Sequence, residues 1–335
     1  MKKHFQLLSV MFALWAISIA PVFAETVVLA VPGPGSLSYL PVYLAKAIAA
    51  DQAEGLDLKL RYVQGAPIAL RDLEDRNCDF IAGGLGAIAA SRADGSPVVA
   101  IGQLGLTAMN VLLLRSDLKN QVHNIAQLKG RRIGVTNSTS TTRSNGTMMT
   151  EYLLHKAGLK SSDVQFISIG QTRETQSAAL KSGTVDALMA DEPFASELIA
   201  QGIAVSMVDL YQPKQSNSVL GGPIIRPALA TREDVLLKHP DTVKKVLRMF
   251  DRTLQWMAQH TAQEIIGKLA DQPGFDPARN ELLVNILQRN QGMYPTSMNW
   301  DSDAVATTER FFHSTAIDPN EKNLKFSDFI RTPLK

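Results

Sequence analysis

The chain reads as two α/β lobes, each a parallel sheet covered by helices. Three observations carry this reading. Short β-rich runs alternate with turn clusters and helical patterns, which is how parallel sheets are built. The cycle then starts a second time, with the same landmark residues in the same order. Residues 25–335 are also long for one core, since about 150 residues per domain gives two.

The first cycle opens with Thr26–Val31, a β-rich run, then the turn cluster Pro32-Gly33-Pro34-Gly35, then apolar residues at helical spacing from Leu40 to Ala53. Leu56–Val63 alternates as a strand, Ala66–Asp75 reads as a helix, Asp79–Ala82 as a strand, Gly86–Asp94 as a helix and Val98–Leu104 as a strand. In the second cycle Asn110–Arg115 and Arg132–Val135 are strands, Thr141–Ala157 a helix, Val164–Ile169 a strand, Thr172–Ser182 a helix, Ala187–Ala190 a strand and Ala195–Gln201 a helix. Gly55-Leu56, Gly65, Asp79 and Gly95 in the first run align with Gly158-Leu159, Gly170, Asp186 and Gly202 in the second, a weak internal repeat. After Val219–Ala230 the pattern becomes helical only: Arg232–His239, Asp241–Gln259, Thr261–Asp271 and Pro277–Arg289. Helices without strands between them cannot extend a sheet, so they are expected to pack on the existing lobes.

Residues 1–24 read as an address. Lys2 and Lys3 start it, Leu7–Ala20 is mostly apolar, and Pro21-Val22-Phe23-Ala24 ends in small residues suited to signal peptidase cleavage. A helix of that apolar stretch would span about 21 Å, short of the ~30 Å hydrocarbon core. The formal charge of +2 is carried by Lys2 and Lys3, leaving basic and acidic side chains equal in number beyond them. A neutral mature chain gives no electrostatic reason to expect nucleic acid or an anionic membrane surface as partner. Cys78 is the single cysteine, so no internal disulfide forms, and Asn77–Ile81 around it reads as a strand entry with the thiol as a small buried hydrophobe.

Ligands of open α/β sheets bind beyond the carboxyl ends of the strands, where helix N-termini present free N–H groups. The loops at issue are 32–39, 64–67 and 83–86 in the first lobe, and 136–142, 170–174 and 191–193 in the second. Six of the seven residues from Thr136 to Thr142 carry hydroxyls. Ser138, Thr139, Ser140 and Thr141 are therefore candidate ligand residues for a sulfonate, carboxylate, nitrate or heterocycle edge, the alternative being an ordinary helix cap. Arg143 and Arg173 are candidate cations that can equally point to solvent. Glu192 either faces the cleft, where it would repel an anion, or caps the helix that follows Pro193. Ser36, Tyr39, Gln64, Gly84, Leu85 and Gln103 are the candidates on the facing lobe.

Other chemistries lack their motifs. Gly84-Leu85-Gly86 followed by Ala89 imitates a dinucleotide fingerprint without the acidic residue that would hold a ribose. There is no phosphate-binding loop of the Gly-x-x-x-x-Gly-Lys type, no histidine pair at metal-ligand spacing and no Gly-x-Ser-x-Gly elbow, so no metal or cofactor is expected.

Several stretches resemble the solute-binding proteins of ABC importers for nitrate, sulfonates, taurine and thiamine-pyrimidine precursors. They are Leu40–Lys46, Glu54-Gly55-Leu56-Asp57, Ala93–Val98, Leu128–Val135, Ala157-Gly158-Leu159, Gly183–Ala187 and Glu192-Pro193, in that family's order. The resemblance implies a two-lobed periplasmic binding protein fold of type II, with crossover strands near Leu106–Leu114 and Val219–Thr231. It places residues 25–108 and 228–335, with the C-terminal helices, in lobe I and 109–227 in lobe II. It implies a small-molecule solute bound between closing lobes, a periplasmic location, a monomer, and delivery to a membrane permease driven by a separate ATPase, with no catalysis. At Thr136-Asn137-Ser138 the sequence departs from the family's usual Gly and Ser, so a relative's ligand is not transferred. A periplasmic sensor partner and an enzyme of thiamine-precursor synthesis are the alternatives.

Overall fold

The computed structural model describes residues 24–136 and 142–332. It contains two five-stranded mixed sheets. Glu25–Pro32 (β1), Leu56–Val63 (β2), Phe80–Gly83 (β3) and Val98–Gln103 (β4) belong to the first, and Val111–Arg115 (β5), Arg132–Thr136 (β6), Gln165–Ile169 (β7), Ala187–Ala190 (β8) and Ala204–Asp209 (β9) form the second. Ala228–Arg232 (β10) returns to the first sheet, giving the orders β2-β1-β3-β10-β4 and β7-β6-β8-β5-β9. The expected parallel sheets are thus corrected to mixed ones. β10 runs antiparallel to β3 and β4, and β5 antiparallel to β8 and β9, because each enters its sheet from the other lobe.

The two orders are the same pattern, which gives the weak repeat a physical basis. Asp79 and Asp186 do the same work at the start of equivalent strands. The Asp79 carboxylate accepts from the Val28 N–H at 2.9 Å, and that of Asp186 from the Arg132 N–H at 3.0 Å, each tying a strand entry to its parallel neighbour. Gly95 (φ 93°) and Gly202 (φ 68°) end the following helices in the left-handed region that favours glycine.

Several boundaries move. The helix expected over Leu40–Ala53 is broken into Leu40–Ala47 and Ala50–Ala53 by Ala49 at φ 56°. The helix expected from Thr141 starts at Asn145, capped by Ser144, whose Oγ accepts from the Thr147 N–H at 3.1 Å. The helices Pro213–Leu220 and Ser302–Ser314 and strand β9 had no counterpart in the sequence reading. The long amphipathic helix Pro240–Gln259 buries Val243, Val246, Leu247, Phe250 and Leu254 and packs on Leu40–Ala47 and Ala50–Ala53, as the strandless C-terminal pattern implied.

The lobes are pressed together where side chains are smallest. A Cβ on Gly33 would meet the Gln171 carbonyl oxygen at 2.2 Å, and one on Gly84 would meet the Asn145 side chain at 2.9 Å. The crossover segments run side by side through the Leu106–Arg226 bridge, and the Leu106 carbonyl accepts from the Ile224 N–H at 3.3 Å.

Two outcomes follow from this packing. Gly33→Ala, at φ 53° and against backbone, should cost about 1 kcal/mol or more and raise the radius of gyration in solution scattering by parting the lobes; an unchanged radius would refute the tight contact. Cys78 is buried, and desolvation pushes its thiol up to about 12, so DTNB should label it only in denaturant.

Candidate functional site

Where the strands of both sheets end, several helices start. Leu40–Ala47 begins after Tyr39, Ala66–Glu74 after Gly65, Leu85–Ala93 after Gly84, and Asn145–Lys156 after Ser144. Each start leaves N–H groups without intrahelical partners, and the aligned peptide dipoles make the region electropositive. A small cavity of about 10 Å³ lies at this convergence, bordered by Tyr39, Ala66 and Gly84 from the first lobe, Thr136, Asn145 and Gln171 from the second, and Arg226 from the crossover. That is room for about one water, so the lining residues of the two lobes already meet across the cleft. A larger hollow of about 340 Å³ lies among the C-terminal helices, walled by Leu254, Met257, Ile265 and Met293. Strand-end geometry favours the smaller one as the ligand site.

Arg226 and Asp191 form the floor of this region. They are 3% and 1% exposed, which makes their 2.9 Å ion pair a buried one. Arg226 Nη1 donates to the carbonyls of Ala108 and Met109 at 2.5 and 2.9 Å and to Asn110 Oδ1 at 2.8 Å. Asp191 Oδ1 accepts from Arg226 Nη2, from Asn110 Nδ2 at 3.2 Å and from Ser38 Oγ at 3.4 Å, while Oδ2 accepts from Gln171 Nε2. One carboxylate thereby gathers the first lobe, both crossovers and the second lobe. Burial pushes the Tyr39 phenol up to about 12, opposed by the positive charge of Arg226, so it stays neutral at ordinary pH. Two buried donors in the cavity wall have no partner among the described residues: Arg226 Nε and Asn145 Nδ2.

The loops chosen from the sequence are the ones that converge, but the individual residues divide. Tyr39 and Gly84 border the cavity. Gln64 is exposed at its rim, with Oε1 next to Gly170. Ser36 is a local cap accepting from the Ser38 N–H at 3.3 Å, and Leu85 is buried in the hydrophobic core. Gln103 is turned away, its Oε1 accepting from the Asp301 N–H at 2.9 Å. Arg173 pairs with Glu197 at 2.6 Å on the outer side, and Glu192 is held by Ser196 and by Arg289 at 3.0 Å. Burial pushes the Glu192 carboxyl above the usual carboxylate range. Arg143 joins Glu151 and Glu321, at 2.5 and 2.7 Å. Ser138, Thr139, Ser140 and Thr141 lie outside the described residues.

Arg226, Asp191, Asn145 and Gln171 were not among the sequence candidates. Arg226 did leave a signal: it is a lone charge closing the apolar run Ile224-Ile225, which asks for a buried partner.

Two sheets of this order, joined by paired crossovers with helix starts facing a central cleft, define the class: a two-lobed periplasmic binding protein fold, for which a Candida albicans structure of that fold aligns at a TM-score of 0.71 over 93% of this chain and 98% of its own, at 18% identity. The chain belongs to the NMT1/THI5-like family, whose model matches residues 38–264. A Bordetella bronchiseptica structure is similar at a TM-score of 0.83 and 24% identity, covering 92% of this chain and 95% of its own. The alkanesulfonate-binding protein SsuA of Xanthomonas axonopodis pv. citri, bound to MOPS, aligns at 0.72 and 17% identity, covering 92% and 99%. A Bacillus subtilis protein whose name proposes binding of aliphatic sulfonates is 28% identical over 296 residues, 85% of this chain and 81% of its own. Most of the similar structures are binding proteins, although the desulfurization enzyme DSZB shares the fold at a TM-score of 0.58 and 18% identity, covering 87% of this chain and 92% of its own.

Removing Arg226 alone should be costly. Arg226→Met leaves Asp191 buried and unpaired, for an expected loss of about 3–5 kcal/mol in urea unfolding. Adding Asp191→Leu should recover part of that loss; strict additivity of the two substitutions would show that the pair is not coupled.

Proposed function

We propose that the chain is the solute-binding component of an ABC importer, capturing a small solute with an oxyanion head between its lobes and passing it unaltered to a membrane permease driven by a separate ATPase. The observation that carries this reading is the pair of buried donors without a partner among the described residues, Arg226 Nε and Asn145 Nδ2, where helix N-termini meet. An oxygen-rich head satisfies those donors and gains from the dipoles. Family membership and the named sulfonate-binding relatives support the same reading.

In this reading residues 1–24 are a cleaved signal peptide and the protein works as a periplasmic monomer; no helix among the described residues is long and apolar enough to cross a membrane. Residues 25–108 and 228–335 form lobe I and 109–227 lobe II. The hydroxyls of Ser138, Thr139, Ser140 and Thr141 belong to the same site, together with Tyr39. The ligand stabilises the closed arrangement by contacting both lobes at once, and a micromolar dissociation constant asks for about 8 kcal/mol, within reach of several charge-assisted hydrogen bonds in a closed cleft.

The test is a thermal-shift panel on residues 25–335 with nitrate, methanesulfonate, ethanesulfonate, carboxylates, amines and pyrimidines. An oxyanion at 100 times its dissociation constant should add about 2.7 kcal/mol of stability. A panel in which no oxyanion shifts the melt, or in which the solute is chemically converted, removes the reading.

A further inference from the structure

We infer that the C-terminal segment is a clasp between the lobes: Arg279, Arg289 and Glu321 are positioning residues that hold the second lobe against the first, whichever solute the cleft takes. The segment is anchored to the first lobe. Pro240–Gln259 packs on Leu40–Ala47 and Ala50–Ala53, the Phe275 ring meets that of Tyr43 edge-on at 5.4 Å, and the carbonyls of Met298 and Phe329 accept from the N–H groups of Gln103 and Ala100 at 3.2 and 3.0 Å. The Tyr294 hydroxyl donates to the Leu37 carbonyl at 2.5 Å. Once β10 has entered the first sheet, the chain does not return to the second. Whatever this segment gains from the second lobe is therefore lost when the lobes part.

It reaches the second lobe through three ion pairs. Arg279 Nη1 donates to Glu197 Oε1 at 2.7 Å, Arg289 Nη2 donates to Glu192 Oε1 at 3.0 Å and to Ser196 Oγ at 2.7 Å, and Glu321 Oε2 accepts from Arg143 Nη2 at 2.7 Å. The side chains of Glu192, Glu197 and Glu321 are 2%, 8% and 6% exposed, so these pairs keep more of their attraction than ordinary surface bridges. The grips lie on both faces of the second sheet: the helix Phe194–Ala200 puts Ala195 and Leu198 into one core cluster, whereas Asn145–Lys156 puts Met148, Met149 and Leu153 into the other. Each second-lobe partner also has a second hold within its own lobe. Glu197 keeps Arg173 at 2.6 Å, Glu192 keeps the Ser196 N–H at 2.9 Å, and Arg143 keeps Glu151 at 2.5 Å. The C-terminal residues can thus let go without stranding a buried charge, unlike Asp191 and Arg226, neither of which pairs with a second opposite charge among the described residues.

Arg279→Gln, Arg289→Gln and Glu321→Gln combined remove the three pairs and leave those second holds in place. Small-angle scattering of residues 25–335 without solute should give this triple variant a larger radius of gyration than the parent. Arg173→Gln, which breaks a similar pair inside the second lobe, should leave the radius at the parent value, and the charge-keeping Arg279→Lys with Arg289→Lys should stay closer to the parent than to the triple variant. Where the triple variant does not fold, Arg279→Gln with Arg289→Gln, which frees one face only, carries the test with a smaller expansion. Because apparent affinity falls with the population of the closed arrangement, methanesulfonate should bind the triple variant at least 10-fold more weakly in calorimetric titration. A radius that does not grow, an equal expansion in Arg173→Gln, or methanesulfonate held as tightly as by the parent would overturn the clasp. A parent that binds no methanesulfonate counts against the solute reading instead, and the radii, measured without solute, then decide the clasp alone.

Discussion

The buried pair of Asp191 and Arg226 is the constraint on which the architecture of the cleft depends. Asp191 ends a strand of the second sheet, and Arg226 sits on the segment returning to the first. An isolated charge at either position would be expensive in a nearly water-free setting. Its neutralisation by the other fixes where the second crossover passes the first, and through Ser38 and Gln171 it fixes the two loops that face each other across the cavity. The pair is thus better understood as a fastening than as a ligand hook. Only the Nε edge of the guanidinium is left without a partner among the described residues.

This division of labour explains how far the sequence could be read. The strand and helix cycle, the repeat and the convergent loops rest on local periodicity and turn chemistry, which a single chain displays directly. The antiparallel members of each sheet were hidden, because β10 lies within a crossover stretch and its direction depends on where the chain comes from. The cleft charges were left open for a related reason. Arg143, Arg173 and Glu192 sit in the right loops, but whether a charge meets ligand or a neighbouring helix is decided by tertiary packing. Asp191 and Arg226 are far apart in the chain, so no local pattern links them.

These charges mark a second role. Arg279 pairs with Glu197 at 2.7 Å and Arg289 with Glu192 at 3.0 Å, joining the C-terminal helices to the loop and helix after β8. Arg143 reaches Glu321 on the other side. The C-terminal segment therefore contacts both lobes rather than the first alone. Arg279 and Arg143 are mostly covered, and each holds a nearly buried carboxylate, so these pairs act in less screened surroundings than ordinary surface bridges.

The sheet orders also impose a schedule on a chain delivered from its N-terminus. The strands β5 to β9 of the second sheet are consecutive, so all its partners are present once Asp209 has emerged. The first sheet began earlier yet must wait: β3 and β4 have no direct pairing and are joined only through β10, which arrives after the whole of the other sheet. The half that is synthesised first is consequently the one finished last, and until Arg232 appears its β3 and β4 edges stay open to wrong partners.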